Sequence, residues 1–325
     1  MLILNTEDQK KLVDMKEIIE CAAVALKEFS EERTITPIRA ALPFDGGQNT
    51  ALVMPSVAEE LGSIGLKVVT VVPNNKKIGK KTINGIVMLS DFKTGEPIAL
   101  LEGSYLTMIR TGALSGVATK YLSRQDSKKL CVIGTGEQAK GLVEAIMAVR
   151  NIDEVLLYNR TEQKAQEFSS YVNTKYNTKV RVYTDSNEAV READIIVTAT
   201  NSSTPVFSES LKPGTHVNAV GSFRPTMQEL PSQLFSQADK VVVESVEAAL
   251  EETGDLQVPI KEGIIKPKDI YAELGQIVSG RYKGRTSEKE ITVFKSVGLA
   301  VVDVVVAQYF YRKAIEASIG TQVKL

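Results

Sequence analysis

The pattern of apolar and polar residues changes along the chain and predicts two kinds of architecture. Residues 8–32 carry apolar side chains at helical spacing, which predicts an amphipathic helix. Short apolar runs follow at 52–56, 65–72, 85–90 and 97–103. They predict strands, and Gly95 lies where a hairpin between the last two needs a glycine. Residues 104–123 then predict a helix with Ser104 as its cap.

From residue 129 onward, short apolar strands alternate with helical segments. The strand segments are 130–134, 154–159, 180–183, 194–200, 215–221 and 240–244. Such alternation predicts a parallel sheet with helices on both faces, an α/β fold. From about residue 286 the pattern predicts one long helix that packs back onto the first part of the chain.

The first strand of the second region runs into a glycine-rich turn, Gly134-Thr-Gly136-Glu-Gln-Ala139. This fits the G-x-G-x-x-A dinucleotide fingerprint, in which Gly134 permits the tight turn and Gly136 lets the backbone approach a pyrophosphate. Ala139 permits close helix packing, and the helix N-terminus offers N–H groups to phosphates. The segment therefore predicts a nicotinamide dinucleotide site.

The tip of the second strand indicates which dinucleotide is bound. NAD-binding proteins usually carry Asp or Glu there, whereas this chain has Asn159-Arg160-Thr161. Arg160 can pair with a 2′-phosphate, and its neighbours can donate or accept hydrogen bonds. NADPH is the predicted cofactor, with NADH as the alternative; a solvated arginine in a βα loop is the plainer interpretation of Arg160.

Three basic residues of the first region suggest a carboxylate substrate. Arg39 follows a proline, Lys67 interrupts the apolar run GLKVVTVV, and Arg110 lies in MIRTGALSG. Arginine binds carboxylates bidentately, and a partly desolvated lysine beside two arginines would exchange a proton near neutral pH. Taken singly, each could equally be a surface or edge residue.

The composition and charge of the chain limit the classes of binding partner that we expect. The chain has 325 residues, is 43% hydrophobic and 24% charged, and has a net charge of −1. This balance gives no reason to expect nucleic acid or an anionic membrane as a partner. Two cysteines, Cys21 and Cys131, in separate apolar segments favour a reducing compartment, and we expect a cytoplasmic protein. No metal is expected, because Glu244 and Glu247 have no cysteine or histidine nearby in sequence.

The chain resembles the ornithine cyclodeaminase/mu-crystallin family over nearly its whole length. The motifs that carry the resemblance are Pro37-Ile-Arg39, Met54-Pro55, Gly65-Leu-Lys67, Asp91…Thr94-Gly95, Arg110-Thr111-Gly-Ala113, Gly134-Thr-Gly136-Glu-Gln138-Ala139, His216-Val-Asn218-Ala-Val-Gly221 and Phe294-Lys-Ser296-Val-Gly298. The resemblance implies a Rossmann doubly wound sheet at 119–298, inserted in a discontinuous α+β domain. That domain, 1–118 plus 299–325, would bind substrate and form a homodimer.

The same resemblance implies roles for individual residues. Around the substrate carboxylate it places Arg39, Lys67 and Arg110, with Lys67 catalytic, and Val297 is a further substrate-binding residue. Against the cofactor it places Thr82, Arg110, Thr111, Gly134, Thr135, Gly136, Glu137, Gln138, Asn159, Arg160, Thr161, Thr198, Thr200, Val220, Ser222 and Ser296.

Two departures from the family pattern bear on the activity. Ornithine cyclodeaminases have a glutamate just before Met-Pro and an aspartate after a Val-Gly-Gly turn. Here Val53 precedes Met54 in place of the glutamate, and Phe223 occupies the position of the aspartate. The chain instead resembles the ketimine reductase branch. That likeness implies NADPH-dependent hydride transfer to C2 of Δ1-pyrroline-2-carboxylate, giving L-proline, or of the piperideine analogue, giving L-pipecolate. Ornithine cyclodeaminase, an alanine- or opine-type dehydrogenase and a non-catalytic NADPH-binding protein stay open as alternatives.

Overall fold

The computed structural model describes residues 1–324, apart from the side chain of residue 76. The chain forms two compact units. The first joins Met1–Arg110 to the C-terminal segment from Leu299, and the second is Thr111–Gly298. The first unit is therefore built from two separate stretches of chain, whereas the second is continuous.

The described residues contain sixteen strands and eleven α-helices. The strands are β1 Leu2–Leu4, β2 Thr34–Ile35, β3 Ala40–Phe44, β4 Asn49–Ala58, β5 Ser63–Val71, β6 Ile83–Ser90, β7 Pro97–Glu102, β8 Lys129–Ile133, β9 Glu154–Tyr158, β10 Lys179–Tyr183, β11 Ile195–Thr198, β12 His216–Ala219, β13 Lys240–Val243, β14 Ala272–Glu273, β15 Thr292–Lys295 and β16 Thr321–Gln322. The helices are α1 Thr6–Leu12, α2 Met15–Ser30, α3 Gly103–Leu122, α4 Glu137–Val149, α5 Glu162–Tyr176, α6 Ser186–Glu192, α7 Leu234–Gln237, α8 Val246–Glu252, α9 Gly254–Lys261, α10 Leu274–Val278 and α11 Ala300–Ala317.

The first unit is a largely antiparallel sheet packed against helices. Its strand order is β16-β1-β7-β6-β5-β4-β2, with β3 also paired to β4. Side chains alternate along β5 between buried and half-buried, as expected of a sheet with one covered face. Helix α11 covers that face: a Cβ added at Gly65 of β5 would lie 3.1 Å from a methyl group of Val304. This packing brings the end of the chain back onto the first unit.

The second unit is an eight-stranded sheet in the order β10-β9-β8-β11-β12-β15-β13-β14. Each neighbouring pair is parallel. Alternate residues of β8 enter different cores: Cys131 and Ile133 join one cluster, and Leu130 and Val132 join another. The sheet is therefore buried on both faces, which confirms the predicted doubly wound α/β fold.

Three local predictions are wrong. The segment from residue 286 is not one helix, because β15 completes the second sheet before α11 begins. The helix predicted at 8–32 is two helices, since the Asp14 carboxylate caps the start of α2. Ser104 does not cap α3; the Glu102 carboxylate accepts the Tyr105 N–H at 2.9 Å, while the Ser104 hydroxyl bonds to the Ile83 carbonyl.

Candidate functional site

The first candidate site lies on the covered face of the first sheet. Lys67, in the middle of β5, stands in register with Met54 and Val87 and is only 2% exposed. A lysine is rarely buried so completely unless it has a partner. That partner is Asp303 of α11, whose carboxylate is fully buried and lies 2.9 Å from the Lys67 Nζ.

Arg110 shares the same acceptor. Its Nε donates to Asp303 Oδ1 at 2.9 Å, so the lysine and the arginine meet at one carboxylate oxygen. The other oxygen, Asp303 Oδ2, is buried with no hydrogen-bond partner among the described residues. Arg39 is half-buried and close enough to lower the pKa of Lys67. Of the three predicted substrate-binding cations, Lys67 and Arg110 therefore share one carboxylate, and Arg39 lies near enough to Lys67 to act on its charge.

The cluster has an excess of positive charge. Lys67 and Arg110 carry two positive charges against one negative charge on Asp303, in a water-poor environment where charges interact strongly. Burial and then the charge of Arg110 lower the pKa of Lys67 to about 8, although Asp303 opposes the shift. An anion entering this site would restore the balance of charge, so the arrangement suits a carboxylate ligand.

The sequence interpretation missed Asp303. The signal was a single acid within the apolar run AVVDVVVA, where a charge must be paired or neutralised. Its partner Lys67 is 236 positions away, so only the fold shows which cation it meets.

The second candidate site is the glycine turn of the second unit. Gly134 has φ +93°, and a Cβ there would lie 2.7 Å from the Ala199 carbonyl oxygen. Gly136 begins α4 with no side-chain cap, and no atom would lie within 4 Å of its Cβ. The turn therefore needs glycine at position 134. At position 136 the glycine leaves the uncapped backbone open to a ligand.

Polar atoms around this turn fit a dinucleotide. Thr135 Oγ1 and Gln138 Oε1 are buried and have no hydrogen-bond partner among the described residues. Asn159 Oδ1 accepts the Thr135 N–H at 3.2 Å, and its amide donates to the Thr161 carbonyl at 2.9 Å. Asn159 thus shapes the turn, while Arg160 beside it is exposed. A phosphate at the N-terminus of α4 would accept hydrogen bonds from the Thr135 hydroxyl and from the uncapped N–H groups, whereas Gln138 Oε1 needs a donor.

Five more of the predicted cofactor residues fall into two groups. Thr200 and Val220 are half-buried just beyond β11 and β12. The hydroxyls of Thr198, Ser222 and Ser296 are buried and bonded internally, to Glu229, to the Met227 carbonyl and to Glu244 respectively.

The other predicted residues are spread over both units. Thr82 lies half-buried just before β6 in the first unit, Thr111 is buried in α3, Glu137 is exposed at the start of α4, and Val297 is buried after β15. Their roles toward a ligand stay predictions.

Residues 1–324 contain no cluster of three His, Cys, Asp or Glu side chains suited to a metal ion. No helix among them is both long and apolar enough to cross a membrane. The single histidine, His216, is buried, bonds to the Thr292 hydroxyl at 2.9 Å, and has its pKa lowered to about 3 chiefly by burial.

The doubly wound sheet and its glycine turn define a protein with a Rossmann-type dinucleotide-binding unit. The model of the ornithine cyclodeaminase/mu-crystallin family matches residues 1–318. The chain belongs to this family, as the resemblance in its motifs predicts.

Individual relatives agree with this assignment. A Bacillus cereus Delta(1)-pyrroline-2-carboxylate reductase is 68% identical over 324 residues and covers all of both chains. The solved Thermococcus litoralis Delta(1)-pyrroline-2-carboxylate reductase, in complex with NADH and L-proline, is 39% identical with a TM-score of 0.95 and covers 99% of this chain and all of its own. An archaeal alanine dehydrogenase dimer with bound NAD is 34% identical with a TM-score of 0.93, covering 100% and 99%. The prediction of an oxidoreductase is thereby confirmed.

The charge cluster predicts how Lys67 titrates. Its pKa should lie near 8 rather than 10.5, so the lysine loses its charge as the pH rises through 8. Between these two values the unfolded chain holds a proton that the folded one has released, so this group makes the free energy of unfolding rise with pH there. Asp303→Asn should move the pKa further down, because Asp303 favours the charged form.

The measurement is a titration of the lysine Cε resonances by NMR, with the Lys67 signal assigned by its absence in Lys67→Met. Glu60→Gln, which removes an exposed acid of the same unit, should leave the Lys67 titration unchanged. A Lys67 pKa near 10.5, or one that Asp303→Asn does not lower, would contradict the account of this cluster.

Proposed function

We propose that this protein reduces Δ1-pyrroline-2-carboxylate to L-proline, with NADPH as the preferred reductant. The observation that carries the proposal is the buried cluster of Lys67, Arg110 and Asp303, which has one positive charge in excess. It is supported by the Bacillus cereus relative at 68% identity and by the Thermococcus litoralis structure with NADH and L-proline.

The cationic residues would bind and orient the substrate. Arg110 uses its Nε for Asp303, and we assign its terminal amino groups and Arg39 to the substrate carboxylate. A carboxylate fixed in this way leaves C2 in one orientation. Positioning of this kind accounts for roughly 7–11 kcal/mol of barrier reduction in well-oriented reactions.

Lys67 would control the proton on the imine nitrogen. With a pKa near 8 it is mostly charged at neutral pH, yet it can exchange a proton readily. A protonated imine makes C2 electrophilic, and the C=N electron pair passes to nitrogen as C2 accepts hydride. A reduced nicotinamide, when bound, supplies that hydride. Lys67 also keeps the nitrogen protonated, directly or through water.

The second unit would hold the dinucleotide. The N–H groups at the start of α4, which has no side-chain cap, and the unpartnered Thr135 hydroxyl suit the pyrophosphate. The preference for NADPH rests on Arg160, which is exposed after β9 where an acid would favour NADH. The solved relatives bind NADH and NAD, so the preference is a separate part of the proposal.

The test is oxidation of NADPH and of NADH with Δ1-pyrroline-2-carboxylate and with Δ1-piperideine-2-carboxylate. We expect turnover with the five-membered ring, a slower rate or none with the six-membered ring, and a higher kcat/KM with NADPH. Arg160→Ala should narrow the gap between the two cofactors, because it removes the partner of a 2′-phosphate.

The same assay includes the second candidate, alanine dehydrogenase, which the archaeal relative favours. Pyruvate and ammonia would be its substrates. Turnover with these in place of the cyclic imines, or ammonia released from ornithine, would contradict the proposal.

The variant Lys67→Met tests the proposed role of the lysine in the same assay. It should lower kcat by about a hundredfold or more, the usual contribution of a general acid, with little change in NADPH affinity. Lys93→Met, the same exchange at an exposed lysine of the first unit, is the control and should retain wild-type kinetics. Unchanged kinetics in Lys67→Met would remove Lys67 from the mechanism.

We also propose that the protein is a homodimer formed through the uncovered face of the first sheet. A row of side chains crosses this face in register: Ala40, Val53, Val68 and Ile86. Ile86 is 46% exposed there and Leu42 of β3 is 53% exposed. An uncovered sheet face is usually polar, so this apolar one favours a partner, and the archaeal relative is a dimer.

Sedimentation should therefore show a particle of twice the 35.4-kDa chain mass. Ile86→Lys should shift it toward the monomer, because it places a charge in the apolar interface. Ile315→Lys, at an equally exposed position of α11, should not. A monomeric wild type, or a dimer indifferent to Ile86→Lys, would reject this interface.

A further inference from the structure

Glu229 is a buried acid that the proposed mechanism does not use. It is fully buried in the second unit, and its carboxylate accepts four hydrogen bonds. They come from the Thr200 N–H at 2.5 Å, the Gly221 N–H at 2.7 Å, the Ser222 N–H at 3.2 Å and the Thr198 hydroxyl at 3.0 Å. Three of the four donors are backbone groups, so the carboxylate fixes the course of the chain itself.

These donors belong to the ends of two neighbouring strands. Thr198 is the last residue of β11, and Gly221 and Ser222 follow β12 directly after Val220. The two strands are adjacent and parallel, so their carboxyl ends emerge at the same edge of the sheet. Ligands of doubly wound sheets bind at this edge. Glu229 therefore joins two loops that border the expected dinucleotide site.

The loops are packed closely at this carboxylate. A Cβ at Gly221 would lie 2.2 Å from the Thr200 carbonyl oxygen and 2.4 Å from a carboxylate oxygen of Glu229. No side chain fits at position 221, so the close approach of the two loops requires glycine there. Loss of the carboxylate would leave three backbone N–H groups without their acceptor.

Neighbouring charges hold Glu229 in place. Lys295 ends β15 and lies 2.9 Å from Asp255, and both are fully buried. Asp255 in turn accepts the backbone N–H groups of Glu229 and Leu230, at 2.6 and 2.9 Å. Burial raises the pKa of Glu229 above its usual range, and the charge of Asp255 adds to this shift. Lys295 and the N–H donors oppose it, because they favour the ionised form.

We propose that Glu229 is a positioning residue for the dinucleotide: its carboxylate holds the loops after β11 and β12 in the shape that the cofactor requires, without touching the cofactor. This inference rests on the proposed nicotinamide-dependent function. Glu229 would then contribute to the affinity for the cofactor but not to the chemistry at the imine.

The test compares Glu229→Gln with a matched control by measuring NADPH binding calorimetrically and KM and kcat separately. The glutamine keeps the size of the side chain, but its NH₂ group cannot accept the bonds that one carboxylate oxygen accepts. We expect the dissociation constant and the KM for NADPH to rise about tenfold or more, as loss of charge-assisted hydrogen bonds implies. The kcat at saturating NADPH should stay within about threefold of wild type, because that turnover reflects steps in the bound complex.

Glu154→Gln is the control. Glu154 is also buried in the second unit, but it begins β9 at the opposite edge of the sheet, where it meets Arg181 and Lys179. The substitution should lower the melting temperature and leave NADPH affinity unchanged. Glu229→Asp, which retains the charge on a shorter side chain, should restore part of the affinity and provides a second variant if the glutamine form does not fold.

The outcomes separate the inference from the proposed function. A wild type that binds neither NADPH nor NADH would overturn the proposed function and this inference together. A wild type that binds while Glu229→Gln binds equally well would overturn the inference alone. Equal losses of affinity in Glu229→Gln and Glu154→Gln, in step with melting temperature, would show a merely structural role and would also overturn it.

Discussion

A buried excess of positive charge is the constraint on which the first unit depends. Two cations and one carboxylate are enclosed between a sheet and α11, where charges are poorly solvated. Removing Asp303 would leave two buried cations without a compensating charge, and breaking a buried pair in this way costs about 3–5 kcal/mol. The fold therefore has to hold Lys67, Arg110 and Asp303 together, and the pKa of the buried lysine is lowered as a result. The same buried excess of positive charge thus constrains the fold and underlies the proposed chemistry.

The second unit also depends on buried charged groups, but there they fix the turns that follow the strands. A parallel sheet buried on both faces offers a ligand only its edges, and at the carboxyl edge the chain must turn sharply after each strand. Gly134 makes one such turn through a positive φ, and Gly221 permits the close approach of two loops. Glu229 and Glu244 then supply acceptors for N–H groups that the turns leave unpaired. Glu244 does so for Val297 and Gly298, after β15. Buried carboxylates thus shape the edge at which the cofactor is expected.

Local patterns in the sequence predict much of this architecture, because each depends on neighbouring residues. The alternation of strands and helices predicts the parallel sheet, and the glycine turn predicts the start of α4. The run GLKVVTVV marks Lys67 as an unusual charge. Local patterns do not identify the roles of Asp303 and Glu229, since their partners come from distant segments that only the fold brings together. The same is true of β15, a four-residue strand whose apolar run continues into the following helix and so resembles part of it.

The most direct test of the central claim is the uptake of protons when a carboxylate binds. An anion beside Lys67 should raise its pKa, so binding of pyrrole-2-carboxylate, a planar analogue of the proposed substrate, should take up protons at a pH just above 8. Calorimetry in buffers of different ionisation enthalpy measures this uptake. We predict uptake of up to one proton by the wild type, and none by Lys67→Met. Binding without proton uptake, or uptake that persists in Lys67→Met, would contradict the claim that the buried cluster is the substrate's carboxylate site.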